Sequence, residues 1–181
     1  MIKYIITDFD GTLVDTLEAN MLAYKAAFEI CGYNFSKEEY KKAYGYRFDD
    51  MCNCLGVTEN KKIREKIKGE KQKQYPKYFD KIKINETLLH HIASLSDMKV
   101  AIATTASKTN FDNVMDKVLH ATVDATVTGD DVERGKPSPD VYIQAMKKLG
   151  CENPDEVLVF EDTEIGIQAA QAAGINNIIK V

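Results

Sequence analysis

Ile5-Ile6-Thr7-Asp8-Phe9-Asp10-Gly11-Thr12-Leu13-Val14-Asp15-Thr16 joins an apolar run to a pair of carboxylates near the start of the 181-residue chain. The run, Ile2 to Ile6, reads as a buried parallel strand. It stops on Asp8 and Asp10, one residue apart, and Gly11 lets the backbone turn sharply after them. Two acids are thereby set side by side at the carboxyl end of a strand, where open α/β sheets bind ligands. Like charges that close call for a cation between them or a proton on one. An EF-hand loop is a competing reading, but it needs Gly at its sixth place and Glu at its twelfth. Counted from Asp8, those places hold Leu13 and Ala19.

Downstream of this stretch the pattern is helical. Leu17, Met21, Leu22, Tyr24, Ala27, Phe28 and Ile30 recur at helical spacing between Asp15 and Cys31, and Gly32 stops them. Ser36 followed by Glu38 and Glu39 marks a helix start running to Tyr44. A short helix is expected over 48–55, and a longer one from about Thr58 to Tyr75, closed by Pro76. No strand pattern occurs between Asp15 and Lys81. Residues 61–83 hold nine Lys and one Arg against Glu65, Glu70 and Asp80. A solvated helix face is the plain reading of such a run, and a positive rim drawing in anions is the functional one. Arg47, on a loop after Gly45, is placed to fork onto a phosphate or carboxylate.

From Asn85 helices and strands alternate. Asn85 caps a helix over 86–95 with Leu88, Leu89, Ile92 and Leu95 inward. Met98 to Ala103 is a strand ending in Thr104-Thr105. Ser107 caps a helix carrying Phe111, Val114, Met115, Val118 and Leu119. Thr122 to Thr128 is a third strand, running into Gly129-Asp130-Asp131. Ser138-Pro139 opens a helix, with Pro139 at its first position, that reaches Leu149-Gly150. Val157 to Phe160 is a fourth strand stopping on Glu161-Asp162, a helix covers about 164–173, and Asn177 to Val181 is a fifth strand. Alternation of this kind predicts an α/β fold: a Rossmann-like parallel sheet flanked by helices. The expected division is a core of residues 1–14 and 82–181, interrupted by an all-helical cap over 15–81.

Composition narrows the function. The chain is 44% hydrophobic and 29% charged, with a formal net charge of −4. That balance argues against nucleic acid as the main partner. No apolar run reaches the ~18 residues of a membrane span, and the first strand begins too early to leave room for a signal peptide. Cys31, Cys52, Cys54 and Cys151 form neither a CxxC pair nor a dense disulfide framework, so reduced thiols in a cytoplasmic protein are expected. Nothing in the sequence fixes the number of copies, and a monomer is the working expectation.

Parallel strands bring their carboxyl ends to one edge. Asp8 and Asp10, Thr104 and Thr105, Lys136, and Glu161 and Asp162 all follow such ends. Oxygen-only acidic ligands suit Mg²⁺, which keeps several waters and shares carboxylates with substrate phosphates. A Thr hydroxyl and a Lys ammonium suit the remaining phosphate oxygens. Gly135-Lys136 is not a P-loop: Gly129 lies one residue too far upstream and Pro137 replaces the required Ser or Thr. His90 and His91 are adjacent on a helix without an HExxH frame and read as ordinary surface histidines.

DFDGTLVDT, the Thr after VAIA, GKPSPDVY and VFEDTEIGIQAAQAAGI together resemble the four motifs of the haloacid dehalogenase-like hydrolase superfamily, in the family's order. The insertion resembles the small helical cap of its phosphoglycolate phosphatase and β-phosphoglucomutase branch. The resemblance implies that Asp8 is a nucleophile forming an aspartyl-phosphate. Asp10 would protonate the leaving oxygen and then take a proton from water. Mg²⁺ would sit on Asp8, the Asp10 carbonyl and Asp162, with Glu161 as a further direct or water-bridged ligand. Lys136 would hold Asp8, and Thr104, with Thr105 as the alternative, would hydrogen-bond the phosphoryl oxygens beside Gly11. A small phosphorylated metabolite is the implied substrate. Asp10 weighs against a dehalogenase, which dispenses with that acid, and against phosphonate-cleaving relatives, which carry Ala there. The mutase branch carries His where Asn20 stands, yet Arg47 falls roughly where it binds a distal phosphate, and Lys108 resembles its loop lysine. A sugar-phosphate mutase is therefore the alternative to a phosphatase, with a non-catalytic binding protein as a third reading. The family's usual helix after the fifth strand has no counterpart before Val181.

Overall fold

Ile5, Ile6 and Thr7 of strand β1 (Tyr4–Thr7) have no solvent exposure, as an interior strand of a covered sheet requires. The structure, a computed structural model, describes residues 1–95, 97–116 and 123–181. After β1 comes the two-residue strand β2 (Val14–Asp15), and then an all-helical segment. Two compact units result, one of Met1–Asp15 with Ile84–Val181 and one of Thr16–Lys83.

The helical unit contains α1 (Leu17–Ile30), α2 (Lys37–Ala43), α3 (Phe48–Cys54) and α4 (Lys61–Gln74). Ser36 and Glu39 form a reciprocal capping box at the start of α2. Its core gathers Ala27, Phe28, Phe35, Tyr40, Met51, Cys52 and Ile67, with Phe28 and Phe35 edge to face at 5.0 Å. Helix α4 starts later than the periodicity implies, because Asn60 accepts from Lys62 N and fixes the first turn there. Pro76 stands just past the end of the α-helix at Gln74, as expected. It sits in the opening turn of a 3₁₀ segment, Tyr75–Lys81, where its missing N–H has no partner to lose.

The basic run divides by burial. Its other lysines are exposed, whereas Arg64 and Lys71 are buried. The Lys71 ammonium lies 3.6 Å from the Tyr75 ring centre and 5.1 Å from that of Tyr24. Arg64 donates to the carbonyls of Thr58, Asp49 and Val57 and to the side chains of Asp49 and Asn53. These two cations are built into the unit, so the solvated-face reading fails for them.

Strand β3 (Lys83–Ile84) leads back to the α/β unit, followed by α5 (Glu86–Ser94), β4 (Lys99–Ala103), α6 (Lys108–Val114), β5 (Ala125–Val127), α7 (Asp140–Leu149), β6 (Val157–Glu161), α8 (Glu164–Ala172) and β7 (Asn177–Lys180). Asn85 caps α5 and Ser107 caps α6. Val118, Leu119 and Thr122 lie outside the described residues, and β5 is shorter than the expected strand. Pro139 occupies the N-cap of α7, one place before its expected position.

Five strands form one parallel sheet in the order β5-β4-β1-β6-β7. Ile6, Ala101, Ala103, Val127, Val157 and Val159 pack with Val141, Tyr142, Ala145 and Leu149 of α7 and with Ala169 and Ala170 of α8. From β1 the chain builds outward through β4 and β5, then crosses back to lay β6 on the other side of β1. That reversal opens a crevice at the carboxyl ends of β1 and β6. The register pairs Thr7 with Phe160, so Asp8 and Glu161 leave the sheet as neighbours. The four cysteines are free. Among the described residues no helix is long and apolar enough to cross a membrane.

Candidate active site

The Asp8 backbone N–H donates to the Phe160 carbonyl at 2.9 Å, which carries the β1–β6 ladder one step past the strand. The Asp8 side chain is therefore held at the crevice, only 9% exposed. Oxygens of Asp8, Glu161 and Asp162 lie within 4.8 Å of one another. Lys136 enters from the segment before α7, and its bond to Pro137 is cis. Its side chain is 2% exposed, and the ammonium reaches Asp8 Oδ1 at 2.6 Å and also contacts Glu161 Oε1.

Every oxygen of Glu161 is engaged. Oε1 accepts from Lys136 and from the Tyr142 hydroxyl at 3.1 Å, and Oε2 accepts from Thr163 N at 2.8 Å and Thr163 Oγ1 at 3.0 Å. A Cβ at Gly166 would overlap this carboxylate, and one at Gly11 would overlap that of Asp162. Both acids thus occupy spaces that only glycine leaves open. Asp162 Oδ1 accepts from Thr12 Oγ1 at 3.2 Å, and the Thr12 carbonyl is held in turn by the Asn85 amide at 3.1 Å.

The charges of this cluster do not balance. Burial pushes Asp8 well above the usual carboxylate range; Lys136 opposes that shift, while Glu161 and Asp162 add to it. Burial, then repulsion from Glu161, pushes Asp162 up to about 6. Burial works against the Lys136 ammonium, but Asp8, Tyr142 and Glu161 outweigh it and hold its pKa well above the ordinary lysine value. Glu161 is lowered despite burial, because Lys136 and Thr163 stabilise its charged form. Burial also keeps the Tyr142 hydroxyl protonated, so it remains a donor. Three carboxylates against one ammonium leave a formal charge of −2.

The sequence candidates are distributed unevenly around this cluster. Thr104, 1% exposed, follows β4, and its hydroxyl stands 3.5 Å from Asp10 Oδ2 while accepting from Ala106 N at 3.0 Å. Asp10 itself lies outside the three-acid group. Thr105 is half-buried, with its carbonyl against Gly129, where a Cβ would overlap it. The Lys108 ammonium is exposed and gripped by both oxygens of Asp112 on the same helix, at 2.9 and 2.7 Å. Arg47 and Asn20 belong to the helical unit. Arg47 precedes α3 as its N-cap residue, and the Asn20 amide donates to Thr16 Oγ1 at 3.0 Å. The sequence reading passed over Thr12, Thr163 and Tyr142. Thr163, a hydroxyl residue immediately before Glu164, carried a legible capping signal, whereas Tyr142 reads only as one apolar residue of an amphipathic helix.

Comparison with known proteins gives this geometry a context. A 26% identical relative, the "phosphorylated carbohydrates phosphatase" of Thermotoga maritima, aligns over 98% of the chain and 84% of its own length. Protein CbbY of Rhodobacter capsulatus is 30% identical over 98% of the chain and 85% of its length. The crystal structure of CbbY from Rhodobacter sphaeroides in complex with phosphate superposes with a TM-score of 0.85 at 25% identity, covering 100% of this chain and 87% of that one. The sequence profile of the haloacid dehalogenase-like hydrolases matches residues 5–180, and the chain is a member of that family.

Proposed function

We propose that this protein is a Mg²⁺-dependent phosphatase of small phosphomonoesters, with Asp8 as the group that accepts the phosphoryl unit. The observation that carries the reading is the contact of a buried lysine with a buried aspartate at the switch point of the sheet, beside two further acids. The donors fit a hard dication: all are oxygens, and the charge of the three acids exceeds that of Lys136 by two. Asp8, Asp162 and the Asp10 carbonyl are the residues that would hold it; Glu161, whose two oxygens already accept from Lys136, Tyr142 and Thr163, would add negative charge beside it rather than serve as the direct ligand the sequence allowed. Bound there, Mg²⁺ would offset the charge of the carboxylates and of the phosphoryl oxygens.

The chain's own residues supply the remaining steps. Lys136 occupies Asp8 Oδ1, which leaves Oδ2 to attack phosphorus in line and form an acyl phosphate. Asp10 gives its proton to the departing ester oxygen, then removes one from the water that opens the acyl phosphate. The Thr104 hydroxyl, on the Asp10 side of the site, and the Lys136 ammonium bind phosphoryl oxygens. Residues 15–81 act as the cap that selects the organic part of the substrate, with Arg47 on a second anionic group. The name of the T. maritima relative supports phosphorylated sugars as the first compounds to try. Phosphatase is preferred to mutase because Asn20, its amide already given to Thr16, offers no titrating ring for proton transfer to a sugar hydroxyl.

Phosphate release from a panel of sugar phosphates, with Mg²⁺ or with chelator, tests the reading in wild type and Asp8→Asn. Release that requires both the metal and Asp8 is expected. No release from any compound, or equal release by Asp8→Asn, would overturn it.

A further inference from the structure

We propose that Tyr142 is a positioning residue for phosphoryl transfer: its hydroxyl sets how the Lys136 ammonium is divided between Asp8 and Glu161. The inference rests on the phosphatase reading above and deepens it.

Tyr142 lies on α7 with no solvent exposure, and its ring packs in the apolar core beneath the sheet. A tyrosine there has to find a partner for its hydroxyl. It finds Glu161 Oε1 at 3.1 Å, the same oxygen that Lys136 contacts. The ammonium also stands 5.1 Å from the Tyr142 ring centre. Lys136 is thus bounded by Asp8 Oδ1, Glu161 Oε1 and the ring. Two donors share one acceptor, so each weakens the demand of that oxygen on the other. Glu161 cannot turn away to change the division, because Thr163 fixes its second oxygen and Gly166 closes over the carboxylate.

The consequence concerns the charge that develops on phosphorus. While the Tyr142 O–H satisfies part of Glu161, Lys136 is directed toward Asp8 and the phosphoryl oxygens. Without that hydroxyl, Glu161 draws the ammonium more strongly and the transition state loses part of its counter-charge. Substrate bound in the ground state still has Thr104 and the cap, so its affinity changes less.

Tyr142→Phe, which keeps the ring and removes one oxygen, tests this in the full chain with Mg²⁺ saturating. The expected result is a kcat about tenfold lower, the size of one lost hydrogen bond to a charged group, with KM within twofold. Inhibition by orthovanadate, which adopts the five-coordinate geometry of the transferring group, should weaken by a factor similar to that of kcat/KM, and inhibition by inorganic phosphate much less. Replacement of Tyr142 by p-aminophenylalanine, which restores a donor at that position, should recover most of kcat. Failure of wild type to release phosphate would overturn the phosphatase reading and this proposal with it. An active wild type with an unchanged Tyr142→Phe would overturn this proposal alone. So would a Tyr142→Phe chain that fails to fold, or one that weakens vanadate and phosphate equally, since the hydroxyl would then serve the core and not the reaction.

Discussion

The Lys136 ammonium meets Asp8 Oδ1 at 2.6 Å across 128 residues of sequence, and both side chains are buried. Neither ion is tolerable there alone, because a buried charge without its partner carries the full cost of leaving water. The pair therefore does two things: it joins the end of β1 to the segment before α7, and it holds the carboxylate proposed to attack.

Lys136→Met separates these roles. Asp8, Glu161 and Asp162 are then left with no internal cation, so the metal-free protein should lose about 3–5 kcal/mol, as when one member of a buried ion pair is removed. Thermal melting in chelator reads this loss. Added Mg²⁺ should raise the melting temperature of the variant more than that of wild type, because the dication replaces the missing charge. Activity should fall at least ~10³-fold even with Mg²⁺, since a binding and charge-balancing contact to the phosphoryl group is gone. A variant as stable as wild type in chelator would show that Asp8 is protonated rather than paired.

The sheet and its acid-bearing edge were legible because they follow from short-range pattern. Apolar runs of four to six residues end on acids or hydroxyls, and parallel topology does the rest. The lysine-rich helix was less legible, since charge composition does not say which cation is folded inward. Arg64 is buried because the backbone carbonyls of Asp49, Val57 and Thr58 point at one place, a convergence that only the fold creates. Tyr142 escaped notice for a related reason. Its hydroxyl matters through Glu161, nineteen residues away on another element, and no spacing rule links the two.

Two glycines with positive φ offer a controlled comparison. Gly11 at φ +95° faces the Asp162 carboxylate, which a Cβ would overlap, whereas Gly32 at φ +81° has nothing within 4 Å. Alanine at either site takes on the left-handed backbone penalty of about 1–3 kcal/mol. Only Gly11→Ala should also displace Asp162. Melting with and without Mg²⁺ distinguishes them: both variants melt lower in chelator, but Mg²⁺ should restore stability in Gly32→Ala and do little for Gly11→Ala. A normal metal response in Gly11→Ala would remove Asp162 from the proposed ligands.

Asp162 also gives a pH dependence of known sign. Its folded pKa, raised to about 6 by burial and by Glu161, exceeds the ordinary 3.8. The folded state keeps this proton while the unfolded state has released it, so metal-free stability falls as pH rises from about 4 to 6 and stays low above that. Asp162→Asn removes the ionisation. In chelator at pH 7.5 the variant should melt higher than wild type by about 2–4 °C, the shift that ~1 kcal/mol produces in a chain of this size. Between pH 4 and 6 its melting temperature should fall less steeply; Asp8, raised in the same direction, keeps the slope from vanishing. Metal-dependent stabilisation should disappear at every pH. A lower melting temperature for Asp162→Asn in chelator would mean that the Thr12 hydrogen bond outweighs the repulsion.

Arg47 is the group on which substrate choice is expected to turn. It opens α3 as the N-cap residue, yet its side chain makes no capping hydrogen bond there. If it binds a second anionic group, a part of the substrate that does not react, the contact is equal in ground and transition states, and its loss raises KM without lowering kcat. Arg47→Ala should increase KM about tenfold or more for substrates with two anionic groups and leave those with one phosphoryl group within about twofold. Arg47→Lys should recover part of the loss, because an ammonium supplies the charge without the planar fork. Steady-state kinetics on paired substrates, such as a sugar monophosphate and its bisphosphate, decide the point. Equal KM changes for both members of a pair would assign Arg47 to general cap structure rather than to anion recognition.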